Sequence, residues 1–388
     1  MWKQIAAVSI VNFRNLPTRF WPSMVIVLGM TCTIGVLVSM LSLTIGYVQS
    51  QLKAGDPGRA IVLASGIEDE TASTLTRDQV NLITDAPGIR KDSDGAPLAE
   101  GELVIDTPVS SRAGGTTFVL TRGFGPKGLR LRPELKLISG RMFRSGSREM
   151  IAGNAARGQF VGLGIGDTVT SQGGAKWQVV GVFATDGDTL EGQLIVDRDT
   201  LMAAAKRTTF SDVLARLDRS PDSLDDLKKS LSGNPALSLI IERHSTYYQH
   251  LSGPNAILFA AVAYGTAGIM AIGAMFGALN IMYAAVSART REIGTMRALG
   301  FGGVPVAVSV VSESLLLAFA GTLLGSALAW LLFNGSQRTY FGQVFDLRVT
   351  PGLIGLGLIW ALVIALMGSL APAIRAAGLP IVAALRAK

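Results

Sequence analysis

Cysteine, histidine and charge are all scarce in this chain, and each scarcity closes off a class of function. A single cysteine in 388 residues, Cys32, excludes an intrachain disulfide, and its place in an apolar run marks it as a packing residue. The only two histidines are His244 and His250. Polar residues at the junction of a domain with a helical stalk are the favoured reading for them over a two-His metal site. The phosphate-cradling pattern GxxxxGKS/T is absent, as are HExxH, CxxC and GxSxG. The acidic residues are scattered along the sequence. The stretch DGDTLEG (186–192) reads as an exposed turn rather than a cation site, because the EF-hand spacing is missing. No catalytic residue, metal site or cofactor of its own is therefore expected, and the chain is not an enzyme by itself.

Charged residues make up 16% of the chain, against about 25% in soluble domains, while 49% is hydrophobic. Mean hydropathy is +0.41. Four windows are long enough to cross a bilayer: Ser23–Val48, Ala256–Val286, Val304–Phe333 and Gly352–Ile374. The first is read as a retained anchor, since no small-residue cleavage site follows it. Helical periodicity runs further, from Trp21 to about Leu52 and from about Ser245 to Ala288. A helix of about 44 residues reaches roughly 65 Å against ~30 Å of hydrocarbon, so both are expected to project as a stalk. Gly253-Pro254 is a candidate kink or break in the second.

The net charge of +7 does not mark a nucleic-acid face. Residues 49–254 hold 24 Lys/Arg against 25 Asp/Glu, which leaves 11 basic and 3 acidic residues for the apolar remainder. Nine of those 11 flank the spans in three segments: before the first, between the second and third, and after the fourth. The positive-inside rule then puts both termini and the 287–303 loop in the cytoplasm and the long insert outside.

Within the insert, RAIVLAS (59–65), ELVIDTPV, TTFVLTRGF, SDVLARLDR and LSLIIER read as strands. TRDQVNLITDA (76–86), capped by Thr76, and SPDSLDDLKKSLSG read as helices. In the middle, GDTVTSQGGAKWQVVGVFAT is a hairpin turning at Gly173-Gly174, and GQLIVDRDTLMAAAK a strand followed by a short helix. The fold class is thus an α-helical membrane protein with four transmembrane helices plus a large extracytoplasmic α+β domain of two subdomains on a helical stalk.

Three features of the spans and loops carry candidate sites. In SARTREIGTMRALGFGGV (287–304), Ile293, Met296, Leu299 and Gly300 fall at helical spacing on one face, leaving Arg289, Arg291, Glu292 and Arg297 for water or a protein. Gly294 and Gly300 suit close approach. Glu313, the one ionisable residue inside a span, is a functional candidate by position. It lies two to three turns from Val304, so pairing with an arginine of the preceding loop is the favoured reading. GAMFG (Gly273, Gly277) and GTLLG (Gly321, Gly325) have the GxxxG spacing of close helix packing.

Span, large external domain and three further spans, with RTREIGTMRALGF followed by ESLLLAFAGTLLG and the ending PAIRAAGLPIVAALR (372–386), resemble the MacB/LolC/LolE/FtsX superfamily of ABC transporter permeases. GRMF, GDTV and W-QVVGVF are similar, more weakly, to the order of elements in the family's external domain. The resemblance is to the versions with a separate ATPase subunit. It implies an amphipathic elbow helix over 1–20, a first span and stalk over 21–52, and an extracytoplasmic domain over 53–245. That domain divides into a split, porter-like subdomain (53–126 plus 207–245) and an inserted β-rich subdomain (127–206). A stalk and second span (246–288), a coupling helix (289–303), a third span (304–333), a short external loop (334–351), a fourth span (352–374) and a cytoplasmic tail (375–388) follow.

The resemblance further implies two copies of a cytoplasmic ABC ATPase, which bring ATP and Mg, and a second permease copy forming a homo- or heterodimer. A periplasmic adaptor or lipoprotein and membrane lipid complete the expected partners; nucleic acid is not among them. The bacterial inner membrane is the implied location. The function implied is mechanotransmission, in which ATP hydrolysis moves the periplasmic domain to export or extract a hydrophobic compound, peptide, lipid or lipoprotein. The alternative is an FtsX-like regulator that activates a cell-wall hydrolase; a third class is a membrane-anchored sensor without an ATPase.

Overall fold

The computed structural model describes residues 20–67, 69–112, 114–171, 173–234, 237–340 and 343–380. The expected elbow helix lies outside them except for Phe20, as does the end of the tail from 381. Helix α1 (Phe20–Ala54) comes first. The insert then builds β1 (Arg59–Ala64), α2 (Arg77–Thr84), β2 (Ala99–Ser111), β3 (Thr116–Phe124), α3 (Gly128–Leu131) and β4 (Lys136–Gly140). It continues with β5 (Glu149–Gly153), α4 (Asn154–Gln159), β6 (Phe160–Val161), β7 (Thr168–Thr170), β8 (Lys176–Ala184), a 3-10 turn (Thr189–Gly192) and β9 (Leu194–Asp197). Helix α5 (Arg198–Ala205), β10 (Asp212–Arg216), α6 (Ser223–Ser232) and β11 (Leu239–Arg243) complete it. The chain ends with α7 (His244–Ala288), α8 (Thr290–Ala298), α9 (Gly303–Phe333), β12 (Gln337–Tyr340), β13 (Gln343–Asp346) and α10 (Pro351–Ala377).

Four of these helices, α1, α7, α9 and α10, are long and apolar enough to cross a membrane. Helix α7 runs unbroken through Pro254, so the expected break is absent. The described chain divides into two compact units. One holds the residues up to Thr44, Ile257–Asn334 and those from Arg348 on; the other holds Ile45–Ala256 and Gly335–Leu347.

In the first unit, small residues let helix backbones meet. A Cβ on Gly325 would stand 2.6 Å from the Thr31 carbonyl oxygen, and one on Gly321 2.6 Å from Met30 Cβ, so α9 and α1 touch backbone to backbone. A Cβ on Gly357 of α10 would stand 2.9 Å from Ile34 Cγ2. Ser314 of α9 donates its hydroxyl to the Ala365 carbonyl of α10 at 3.2 Å. Cys32 does not pack inside this unit; it is exposed on α1, one step round from buried Thr31 and Thr33.

The second unit is built on one sheet in the order β11-β1-β10-β2-β3-β9-β5-β8-β4, with β6 paired to β2 and β7 to β8. The strands of the outer segments, β11 through β3, fill one half of that path. Those of the middle segment fill the other, and the parallel pair β3–β9 joins them. Strand β1 shows why its sequence is apolar from Ala60 on. Ala60 and Val62 enter the main core, while Ile61 and Leu63 pack on the other face with Ala54, Tyr247 and Tyr248. Thr76 caps α2 in a capping box with Gln79. The β7–β8 hairpin turns at Gly174, whose φ of 76° suits glycine. In DGDTLEG, Asp188 caps the 3-10 turn and accepts from the Thr185 hydroxyl, while Glu191 accepts from the backbone of Thr185 and Gly187. The two carboxylates are buried and spent on their own turn, so of this stretch Asp186 is exposed while 188–192 are buried.

The loop after α9 is more than a connector. Its hairpin β12–β13 inserts Val344 against Gly192, where a Cβ would lie 2.6 Å from the Val344 nitrogen. Gln159 of α4 donates to the Gln337 carbonyl at 3.0 Å.

Candidate coupling site

Helix α8 is short, and its residues divide sharply by role. Ile293 is 3% exposed and Gly294 is buried, with Met296 half-buried beside them. Ile293 and Met296 pack with Met282, Val286, Val306 and Val310 of α7 and α9. The buried face differs from the expected one, because Leu299 is 74% exposed and Gly300 is exposed too. At 3.6 residues per turn Leu299 lies about 120° round from Ile293, whereas Arg297 lies within about 40° of it. Gly300 ends the helix at φ 92°, a backbone position that favours glycine.

The arginines likewise separate. Arg289, at the N-cap of α8, is 6% exposed and donates from both terminal nitrogens to the Glu313 carboxylate, each at 3.0 Å. Glu313, 4% exposed, is thus held as half of a bidentate ion pair. Arg297 donates to the carbonyl oxygens of Ala377 and Leu379, both at 2.8 Å, completing the C-terminal end of α10. Arg291 and Glu292 are exposed. The nine residues singled out for the coupling helix therefore fall into two sets. Arg289, Ile293, Gly294, Met296 and Arg297 fasten α8 to its own unit. Arg291, Glu292, Leu299 and Gly300 face outward.

The two GxxxG pairs also part company. Gly321 and Gly325 serve the α9–α1 contact described above, whereas a Cβ on Gly273 or Gly277 would meet nothing within 4 Å. The two histidines have separate partners. His244 is buried edge-on to Tyr248 with its Nδ1 accepting from the Asp56 N–H, and His250 lies 3.1 Å from Glu242.

Acidic residues that look scattered in the sequence converge inside the second unit. Arg122, 1% exposed, donates to Glu70, to Glu102 at 2.9 Å and to Gln193 at 3.2 Å, and stands 3.6 Å from Asp212. Arg132 forks onto the same Glu102 carboxylate. Burial works to raise the Glu102 pKa, but Arg132 and Arg122 outweigh it and hold the group below its ordinary value. Burial, followed by the charges of Glu102 and Glu70, pushes Asp212 well up. The only signal in the sequence is a charge in the middle of an apolar strand, as at Glu102 and Arg122, and that does not reveal which strands are neighbours.

Four apolar helices with a large α/β insert between the first and second define a permease-type membrane subunit. Residues 23–233 match the model of the MacB-like periplasmic core domain and residues 264–381 that of the FtsX-like permease C-terminal region. The chain belongs to this family and is an ABC transporter permease of the MacB/FtsX type. It is 24% identical over 273 residues to YknZ, an uncharacterized ABC transporter permease of Bacillus subtilis strain 168, covering 65% of this chain and 66% of that one. It is 32% identical over 128 residues to YvrN, an uncharacterized ABC transporter permease of the same organism, covering 33% and 31%. The chain thus spans less than two thirds of the length of either relative. The crystal structure of the extracellular domain of YknZ, a noncanonic ABC-type transporter from Gram-positive bacteria, aligns over 47% of this chain and 99% of that one. The identity there is 16% and the TM-score 0.36, a level at which the likeness carries no argument.

Proposed function

We propose that this permease receives the work of a separate cytoplasmic ABC ATPase through α8 and delivers it as motion of the insert domain. The observation that carries this reading is the double fastening of α8. Arg289 ties its start to α9, and Arg297 ties its end to the close of α10. A helix pinned by buried polar contacts at both ends moves with the spans it is pinned to. A push on its outward residues is then passed on rather than absorbed. The basic flanks of the spans support a cytoplasmic place for α8 and both termini, with the insert outside the inner membrane. Two ATPase copies with ATP and Mg, a second permease copy, and a periplasmic adaptor or lipoprotein belong to the same reading. So does export or extraction of a hydrophobic cargo without passage through a membrane pore.

The test is co-purification of the full chain with candidate ABC ATPase subunits from the same genome, followed by ATP turnover in nanodiscs. Replacing Arg291 and Leu299 by alanine is expected to weaken association and lower permease-dependent turnover by about tenfold, a loss of roughly 1.4 kcal/mol. An association and turnover unchanged in the double variant would sink the reading. Recovery of a cell-wall hydrolase on the insert, with no transport of any cargo, would replace it by the regulatory alternative.

A further inference from the structure

The second unit carries an open cavity of about 630 Å³ that the coupling reading does not use. Small-molecule sites commonly occupy roughly 300–1,000 Å³. Its walls follow from local periodicity. On the β2–β3 hairpin, Asp106 stands opposite Leu120, and Pro108 opposite Phe118. Asp106, Leu120 and Phe118 line the cavity, while the alternate residues Leu103, Val109 and Val119 enter the core behind. From α7 come Tyr247, Leu251 and Asn255, spaced by single turns. Tyr47 of α1 closes that side, its hydroxyl accepting from Asn255 Nδ2 at 3.0 Å.

The charges on these walls do not balance. Asp69, Glu70 and Asp106 line the cavity, and among the described lining residues the one cation is Arg122. Arg122 and Arg132 already answer Glu70 and Glu102, and burial pushes the pKa of Asp212 beside them well up. Asp69 and Asp106 are left over, with no ion pair among the described residues. In the hydrogen bonds seen, the Asp69 carboxylate accepts only from the backbone N–H and hydroxyl of Thr71. Burial, and then the charge of Asp69, raise the pKa of Asp106, as for two carboxylates that lack a cation between them. A second, independent sign lies deeper. Glu70 is 6% exposed, lines the cavity, and leaves its Oε1 buried without a hydrogen-bond partner. Around these acceptors stand the rings of Tyr47, Phe118, Phe160 and Tyr247, whose faces attract cations.

We infer that the cavity is a binding site for a hydrophobic organic cation. Asp69 and Asp106 hold the charge, and the aromatic rings cover its apolar body. That such a ligand is the cargo rests on the proposed transport function; its binding does not. The two are therefore tested apart.

The experiment uses the full chain in nanodiscs, without ATPase or nucleotide, and equilibrium dialysis with empty nanodiscs subtracted. The probes are tetraphenylphosphonium and tetraphenylborate, ions of one shape and opposite charge. Saturable binding of the phosphonium is expected, with the borate binding at least about tenfold more weakly, and with about a tenfold loss of phosphonium affinity in Asp69→Asn/Asp106→Asn. Asp106→Glu, which keeps the charge, is expected to retain most of the binding. Equal binding of the two ions, an unaltered double variant, or no saturable binding to the wild type each overturns the inference. So does loss in Asp106→Glu as complete as in Asp106→Asn. Failure here with coupling to the ATPase intact refutes the ligand class alone. Binding here with no ATPase association refutes the transport reading alone.

Discussion

Arg289 and Glu313 face each other through two hydrogen bonds of 3.0 Å, both side chains all but excluded from the surface. One caps α8 and the other sits well inside α9, so the pair fixes the turn between them. Buried pairs of this kind contribute little over a matched apolar pair, but removing one partner strands a charge. Glu313→Leu or Arg289→Leu alone is expected to destabilise the protein by about 3 kcal/mol or more. The double replacement Arg289→Leu/Glu313→Leu should cost clearly less than the two single costs added together. Thermal unfolding of the four proteins in detergent gives the coupling energy; additive losses would mean that the pair is not coupled.

Gly325 and Gly277 occupy similar sequence patterns and are expected to respond oppositely to alanine. At Gly325 the new methyl meets the Thr31 carbonyl at 2.6 Å, a backbone atom that cannot step aside, for a loss of about 1–3 kcal/mol. At Gly277 nothing lies within 4 Å, so better helix propensity should stabilise the isolated chain by up to ~1 kcal/mol. Melting temperatures of Gly325→Ala and Gly277→Ala decide the matter, and a shift of the same sign in both would contradict the packing described.

The acid cluster makes a paired prediction. Arg122→Met removes the cation shared by Glu70 and Glu102, and should destabilise the insert domain by about 3–5 kcal/mol. Asp212→Asn should change stability by less than about 1 kcal/mol, because burial shifts that carboxyl toward its protonated form. Denaturant unfolding followed by the fluorescence of buried Trp177 reads both variants. A large loss in Asp212→Asn would show that the group is ionised.

Glu100 predicts a pH dependence. Burial, then the charge of Glu102, push its carboxyl from 4.5 up to about 7, although it accepts from the backbone of Gly125 and Lys127. Between those values the unfolded chain has lost this proton and the folded chain still holds it. Stability from this group is therefore lost as pH rises through that window, by about 3 kcal/mol in all. Glu100→Gln should flatten the slope of melting temperature against pH between 4.5 and about 7 relative to wild type. An unchanged slope would assign the proton elsewhere.

What the sequence reveals of this protein follows the range of the forces involved. The four apolar helices, the capping box at Thr76 and the turn at Gly174 depend on neighbours within a few residues, and each is legible as a string. Glu313 is legible as unusual, and its pairing with an arginine of the preceding loop follows from depth alone. The meeting of Arg122 with Glu70, Glu102 and Asp212 is not legible, because it depends on which strands lie side by side. The outward position of Leu299 was missed for a smaller reason. Apolar character was taken as burial at the last residue of a short helix, where the turn of the helix had already carried the side chain away from the core. The cavity is hidden for the same cause as the acid cluster: its walls come from segments far apart in the chain.

The insert leaves and re-enters the long helices at one place. A Cβ on Gly55 would lie 2.7 Å from Ser245 Cα, and the Asp56 N–H reaches His244. A segment whose two ends touch can be exchanged as a cassette, since a short linker spans the same gap. Descent could thus refit the same four helices with a different outer domain by one insertion event, leaving every contact among the spans unaltered. The junction at Gly55 and Ser245 is where such a graft would be made.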